Sequence, residues 1–264
     1  MEEILKTSDF DYFLPPELIA QNPLEKREEC AMMYLNKTTK EIKHLHFYDI
    51  LDYLNKDDIL VLNDTKVYPA RIIAKRKSGA GVEIFLLNPL NNSSCWEALT
   101  KNAKRLKEGE ILEIAPDFKI KLIEKQKAPN LNEIPKYIVE LIYEGDDIYK
   151  VLNKYGSTPL PPYIEREAQE KDKDNYQTVY AKNTGSVACP TAGLHFSKEL
   201  LEKIQKKGVK IAYITLSVGL GTFMPVKVEN IKEHTMHYES YIIPKETQEL
   251  FENKKGKVIA VGTT

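Results

Sequence analysis

The sequence predicts a mixed α+β protein, an α/β main domain interrupted by an inserted all-β, barrel-like domain. Three patterns predict it. From about residue 68 to residue 144, short apolar runs separated by turn residues follow one another with no helix of useful length between them. After residue 145 the pattern changes to helices alternating with strands, the signature of an α/β layer. Before residue 68, a hairpin and a buried strand stand ready to join that layer. The expected boundaries are therefore 1–67 plus 145–264 for a discontinuous α/β catalytic domain, and 68–144 for the insertion.

Each element has its own reason. Leu14 to Gln21 reads as a single helical turn with Pro16 near its start, where the missing N–H costs nothing. Met32–Leu35 and Ile42–Phe47 read as strands around a Lys-Thr-Thr-Lys turn, and Tyr48–Leu54 as a short amphipathic helix. Asp58–Asn63 is a continuous apolar run, as a buried strand should be. Arg71–Lys75 and Val82–Leu87 flank Ser78-Gly-Ala-Gly81, a hairpin signal. Cys95–Thr100, Glu110–Ala115, Phe118–Ile123 and Tyr137–Tyr143 complete the β set, and Phe118-Lys-Ile-Lys-Leu122 alternates as a half-solvated strand does. Asp147–Tyr155 is a helix. Ser197–Lys207 is a second, with Ser197 as its N-cap, Glu199 in the first turn and Gly208 just past its end. Val209–Ser217 is a strand, Lys245–Lys255 a helix and Lys257–Gly262 a strand. That last strand has nothing after Thr264 to cover it, so further C-terminal chain is expected to belong to this domain.

Bulk properties narrow the function. The 264 residues are 42% hydrophobic and 29% charged, the composition of a folded globular chain. With 38 basic and 39 acidic residues the net charge is −1, which argues against non-specific coating of nucleic acid but leaves room for a local basic patch. Cys30, Cys95 and Cys189 are odd in number, far apart and free of any C-x-x-C, so a disulfide framework is not expected. No run approaches the roughly 18 apolar residues of a membrane span, and the first residues lack a signal-like apolar core. A cytoplasmic protein without membrane association is expected.

Four constellations carry candidate chemistry. In Pro190-Thr-Ala-Gly-Leu-His-Phe196, His195 is either a proton-transfer group or a loop histidine satisfied by a carbonyl. Gly219-Leu-Gly-Thr-Phe-Met-Pro225 either brings backbone close to a ligand or is a plain turn after a strand; it is not a dinucleotide fingerprint. Glu233-His-Thr-Met-His237 holds His234 and His237 three residues apart, either an acid–base or hydrogen-bonding pair, which the spacing fits better than a metal site, or a solvated charged loop. Leu99–Lys107 carries Lys101, Lys104, Arg105 and Lys107, a run that meets either phosphates or only water; Lys75-Arg-Lys77 adds to it.

The ordered motifs resemble one family. Asn63-Asp-Thr-Lys-Val-Tyr-Pro-Ala-Arg71, Leu160-Pro-Pro-Tyr-Ile164, Tyr176-Gln-Thr-Val-Tyr-Ala181, Pro190–Phe196, Gly219–Val226, Glu233–His237 and Val261-Gly-Thr-Thr264 occur in sequence across the chain. Together with Phe10–Pro15 and Ala20–Glu25 they are similar to the S-adenosylmethionine:tRNA ribosyltransferase-isomerases of queuosine biosynthesis. Cys189 departs from the family's usual small residue and is expected to be packing. The resemblance implies transfer and isomerisation of the ribosyl moiety of S-adenosylmethionine onto 7-aminomethyl-7-deazaguanine at the wobble position of tRNA, with adenine and methionine leaving. S-adenosylmethionine is then a consumed co-substrate, and no resident cofactor or metal is implied. Such chemistry needs a base for the C5′ proton beside the sulfonium and an acid for adenine. His195 and His237 are the candidates, in either order. Tyr176, Tyr180 and Phe223 are expected to offer aromatic faces to the sulfonium. Gly219 and Gly221 allow backbone approach, and Asp64, Arg71, Gln177, Thr191, Gly193 and Thr222 complete the expected substrate contacts. Lys101, Lys104 and Arg105 are expected on tRNA phosphates, and the chain is expected to act as a monomer. The 190–196 and 219–239 segments are expected to converge on one cleft. Two rivals remain: a metal-dependent hydrolase using His195, His234 and His237, and a non-catalytic RNA-binding module.

Overall fold

The structure, a computed structural model, describes residues 5–90, 94–101, 106–127, 135–223, 226–236 and 238–263. Along the chain run β1 (Ala31–Leu35), β2 (Ile42–His46), β3 (Ile59–Asn63), β4 (Thr65–Val67), β5 (Arg71–Lys75), β6 (Gly81–Pro89) and β7 (Cys95–Lys101). Next come β8 (Ile111–Ala115), β9 (Phe118–Lys125), β10 (Tyr137–Tyr143), α1 (Ile148–Tyr155), α2 (Asp172–Asn175) and β11 (Asn183–Ser186). The remainder holds α3 (Lys198–Lys206), β12 (Lys210–Leu216), β13 (Tyr241–Ile242), α4 (Lys245–Glu252) and β14 (Val258–Ala260). The chain forms two compact units, one of residues 1–19, 68–173 and 219–238, the other of 20–67, 174–218 and 239–264.

The first unit is built on a closed barrel in the order β10-β7-β6-β5-β8-β9, every neighbouring pair antiparallel. Closure leaves no long free edge, the hazard of an open sheet. Alternate residues point inward: Ile72 and Ala74 on β5, Val82, Ile84 and Leu86 on β6, Phe118, Ile120 and Leu122 on β9 are all buried. Each large apolar side chain so enclosed contributes about 1.5–3 kcal/mol relative to exposure. Tyr68 packs edge-on to Trp96 and Tyr149, and its hydroxyl donates to the carbonyl of Leu87. Gly156 has a steric cause: a Cβ there would stand 2.2 Å from the Pro69 carbonyl oxygen. Ion pairs join the barrel's strands and loops. Arg76 grips Glu110 with two parallel bonds of 2.6 and 2.9 Å, and Lys136 reaches Glu97 at 3.2 Å. Beyond the barrel, Arg166 forks onto the fully buried Asp172 at 2.6 and 2.8 Å.

The second unit has a four-stranded sheet ordered β13-β12-β3-β14. β3 lies between two parallel neighbours, and Ile59, Leu60 and Leu62 are buried, which explains the unbroken apolar run. Helix α3 buries Leu200, Leu201 and Ile204 in one core with Leu60, Leu62 and Phe196. Its start is fixed by Ser197, whose Oγ accepts from the Leu200 N–H at 3.0 Å. Its end is fixed by Gly208, at φ +89, the left-handed conformation that glycine adopts without strain.

Differences in the extents of single elements are local. Phe47–Tyr53 is a 3-10 helix, one residue earlier than expected and tighter. Its Asp49 carboxylate accepts from the His46 N–H at 2.9 Å, fixing that entry. The Leu14–Gln21 turn contracts to a 3-10 turn at Pro16–Leu18. β4, β11 and β13 were not expected. They are two to four residues long, too short to show a period, and β4 and β11 exist by pairing in parallel with each other.

Candidate functional site

The segment from Tyr176 to Phe196 winds through the second unit and is anchored largely through main-chain atoms. Gln177 presents its side-chain amide to one residue: Oε1 accepts from the Val67 N–H at 3.1 Å and Nε2 donates to the Val67 carbonyl at 2.6 Å. Asp64, buried at the end of β3, accepts from Asn183 Nδ2 at 3.1 Å and from Thr215 Oγ1 at 2.6 Å. Arg27 donates to the carbonyls of Gln177 at 2.7 Å, Asp174 at 2.8 Å and Leu194 at 3.5 Å. One guanidinium thus ties together the two loops that carry the candidate residues, without a carboxylate partner among the described residues.

His195 ends a 3-10 turn, Thr191–His195, and is half-buried. Its Nδ1 lies 3.0 Å from the Cys30 sulfur, and its ring tilts over Phe47 at 5.2 Å. Burial lowers its pKa from 6.5, and the nearby Arg27 charge acts in the same direction, so the imidazole is neutral at pH 7. Burial raises the Cys30 thiol above 9.0, so it too is neutral. The two residues line an open, mainly apolar cleft of about 400 Å3, with Met32, Phe47, Ala192 and Ile259 among its other walls. The loop shape depends on Gly193: a Cβ there would stand 2.1 Å from Tyr180 Oη and 3.0 Å from Thr178 Cγ2. Tyr180 packs against the sheet core, 6.0 Å from Tyr213, and its hydroxyl is pushed well above the ordinary tyrosine range by burial. Cys189 is pushed up to about 12, mainly by burial, which makes it an inert packing thiol.

The structure therefore brings together Asp64, Tyr176, Gln177, Tyr180, Thr191, Gly193 and His195 in one unit. Tyr176 is buried and Thr191 exposed. Arg71, Lys101, Gly219, Gly221, Thr222 and His234 belong to the barrel unit. There, Arg71 Nε faces Glu83 at 3.5 Å, Lys101 is exposed at the end of β7, and Leu220–Phe223 forms a 3-10 turn. His237, Lys104 and Arg105 lie outside the described residues, as does the side chain of Phe223. Among the described residues no three His, Cys, Asp or Glu side chains group to hold a metal ion. Nor is any helix among them long and apolar enough to cross a membrane. Sequence reading missed Cys30 and Arg27. Both precede the loop by some 150 residues or more, and only the tertiary fold carries them to it.

Fold and site together define the class: an α+β protein with a closed β-barrel and, in its other unit, a loop-built cleft presenting a neutral histidine. Residues 7–264 match the family described as queuosine biosynthesis protein, and the chain belongs to that family. It is 54% identical over 265 residues to the S-adenosylmethionine:tRNA ribosyltransferase-isomerase of a Sulfurihydrogenibium species, an alignment spanning 98% of this chain and 76% of that protein. It is also similar to a crystal structure of S-adenosylmethionine tRNA ribosyltransferase from Thermotoga maritima, at 30% identity and TM-score 0.39, over 96% of this chain and 68% of that one.

Proposed function

We propose that this chain transfers the ribosyl moiety of S-adenosylmethionine to 7-aminomethyl-7-deazaguanine in the wobble position of tRNA and isomerises it, giving epoxyqueuosine-tRNA, adenine and methionine. The observation that carries this reading is the identity of 54% to a relative named for that activity, sustained over nearly the whole chain. S-adenosylmethionine serves as a co-substrate consumed in each turnover, and the reaction runs without a resident cofactor.

His195 and His237 divide the proton transfers between them. What supports His195 is its place at the wall of a cleft in the neutral form, which can accept a proton on one ring nitrogen or donate from the other. Tyr176, Tyr180 and Phe223 supply aromatic surface, and Asp64, Arg71, Gln177, Thr191, Gly193, Gly219, Gly221 and Thr222 shape the substrate sites. Lys101, Lys104 and Arg105 meet tRNA phosphates. We read the barrel as an insertion at 68–144 in a discontinuous catalytic domain of 1–67 and 145–264; its strands all fall between Arg71 and Tyr143. The enzyme works as a cytoplasmic monomer.

The test is release of adenine from S-adenosylmethionine by the chain in the presence of tRNA bearing the 7-aminomethyl base. His195→Ala should lower kcat by about 10² or more. Turnover near that of the parent would remove His195 from proton transfer.

A further inference from the structure

The contact between Cys30 and His195 bears on what the histidine can do. Three proton arrangements fit a sulfur and Nδ1 at 3.0 Å. The thiol can donate to Nδ1, leaving the ring proton on Nε2. The ring can donate from Nδ1 to sulfur, leaving Nε2 open as a base. Or the proton can move across to make a thiolate–imidazolium pair, the arrangement of cysteine nucleophiles.

The surroundings choose among them. An ion pair is opposed on both sides: burial disfavours thiolate and imidazolium alike, and the Arg27 cation stands against a second positive charge beside it. Of the two neutral forms, the imidazole lone pair is a far better acceptor than thiol sulfur, while S–H retains a proton to give. The partner of one ring nitrogen sets the protonation of the other. The ring has no competing partner for Nδ1 among the described residues, and Phe47 meets it only as a tilted face.

We propose that Cys30 is a positioning residue that donates its S–H to His195 Nδ1 and so holds His195 as the Nε2–H tautomer. His195 then enters the reaction as a hydrogen-bond donor to a group gaining electron density, not as the base that removes a proton. A neutral imidazole acting as an electrophile has precedent in enzyme chemistry. Resting on the ribosyl-transfer reading, the recipient is a ring nitrogen of the departing adenine, and the base for the C5′ proton is another residue. Cys30 itself forms no covalent bond.

The experiment is nitrogen-15 NMR of the histidine rings in the full chain at pH 7, His195 assigned by its loss in His195→Ala. The expected result is a protonated Nε2 and a bare Nδ1. Cys30→Ser, which retains a donor, should keep that tautomer and near-parental kcat. Cys30→Asp, which offers only acceptors, should move the proton to Nδ1 and lower kcat by about 10², with KM changed far less. If the aspartate variant does not fold, Cys30→Ala, which removes the donor, should lose the fixed Nε2–H tautomer and show ring nitrogens averaged between the two neutral forms. A wild-type ring protonated at Nδ1, or a Cys30→Asp enzyme with parental kcat, overturns the proposal. A wild-type chain that releases no adenine overturns the ribosyl-transfer reading instead, and the tautomer result still stands or falls by itself.

Discussion

The two units use polar side chains in opposite ways. In the barrel unit charges meet charges: Arg76 with Glu110, Lys136 with Glu97, Arg166 with Asp172. In the sheet unit the tertiary contacts of polar groups go mainly to backbone and neutral partners: Gln177 to Val67, Arg27 to three carbonyls, Asp64 to Asn183 and Thr215. Ion pairs of that unit such as Lys26 with Glu29 and Lys43 with Glu41 are exposed and local. The first arrangement responds to pH, the second mostly to shape. Much of the polar character between Tyr176 and Phe196 thus goes into holding the loop.

The largest effect expected from this contrast is at Asp172. Replacing it with alanine removes the buried carboxylate that Arg166 grips with two bonds and should cost about 3–5 kcal/mol, read from chemical denaturation. A loss below 1 kcal/mol would show that the pair contributes little to the barrel unit. In the sheet unit, Gly193→Ala should cost about 1–3 kcal/mol by overpacking against Tyr180 and Thr178. Adding Tyr180→Phe, which deletes the nearest atom, should return part of it. If the double variant is no better than the single, another contact sets the loop.

A smaller effect separates the units by pH. The Arg76 hydrogen bond holds the Glu110 carboxyl below its ordinary 4.5. A depressed carboxylate stabilises the fold above its unfolded pKa and loses that contribution as pH falls through the folded one. The gap between parent and Glu110→Gln, about 1 kcal/mol, should therefore be full above pH 4.5 and close at lower pH. Gln177→Ala should show no such trend, since neither of its bonds titrates. Smallest is Lys101→Glu, which should weaken tRNA binding modestly and lower the salt slope by about one. An unchanged slope would return Lys101 to plain solvation.

How far the sequence was readable follows the same line. Barrel strands were legible because period two is imposed by burial on one face, and Phe118-Lys-Ile-Lys-Leu122 obeys it. Strand β3 and helix α3 were legible from an apolar run and an N-cap serine. The short β4–β11 pairing was not, because its order comes from a long-range partner and not from its own residues. At the site, His195 was visible as a titratable group in a glycine-punctuated loop. Its lowered pKa was not, because burial and the Arg27 charge set it, and both reach the ring only through the fold.

Gln177 offers a last consequence. Its amide stands in for a peptide group beside Val67, so one atom's identity decides whether this one anchor forms. Hydrolysis of that amide to a carboxylate, a slow spontaneous reaction in ageing protein, would set a negative oxygen against the Val67 carbonyl. Glutamate at 177, nearly the same shape, should therefore loosen this anchor, while Arg27 still holds the Gln177 and Leu194 carbonyls.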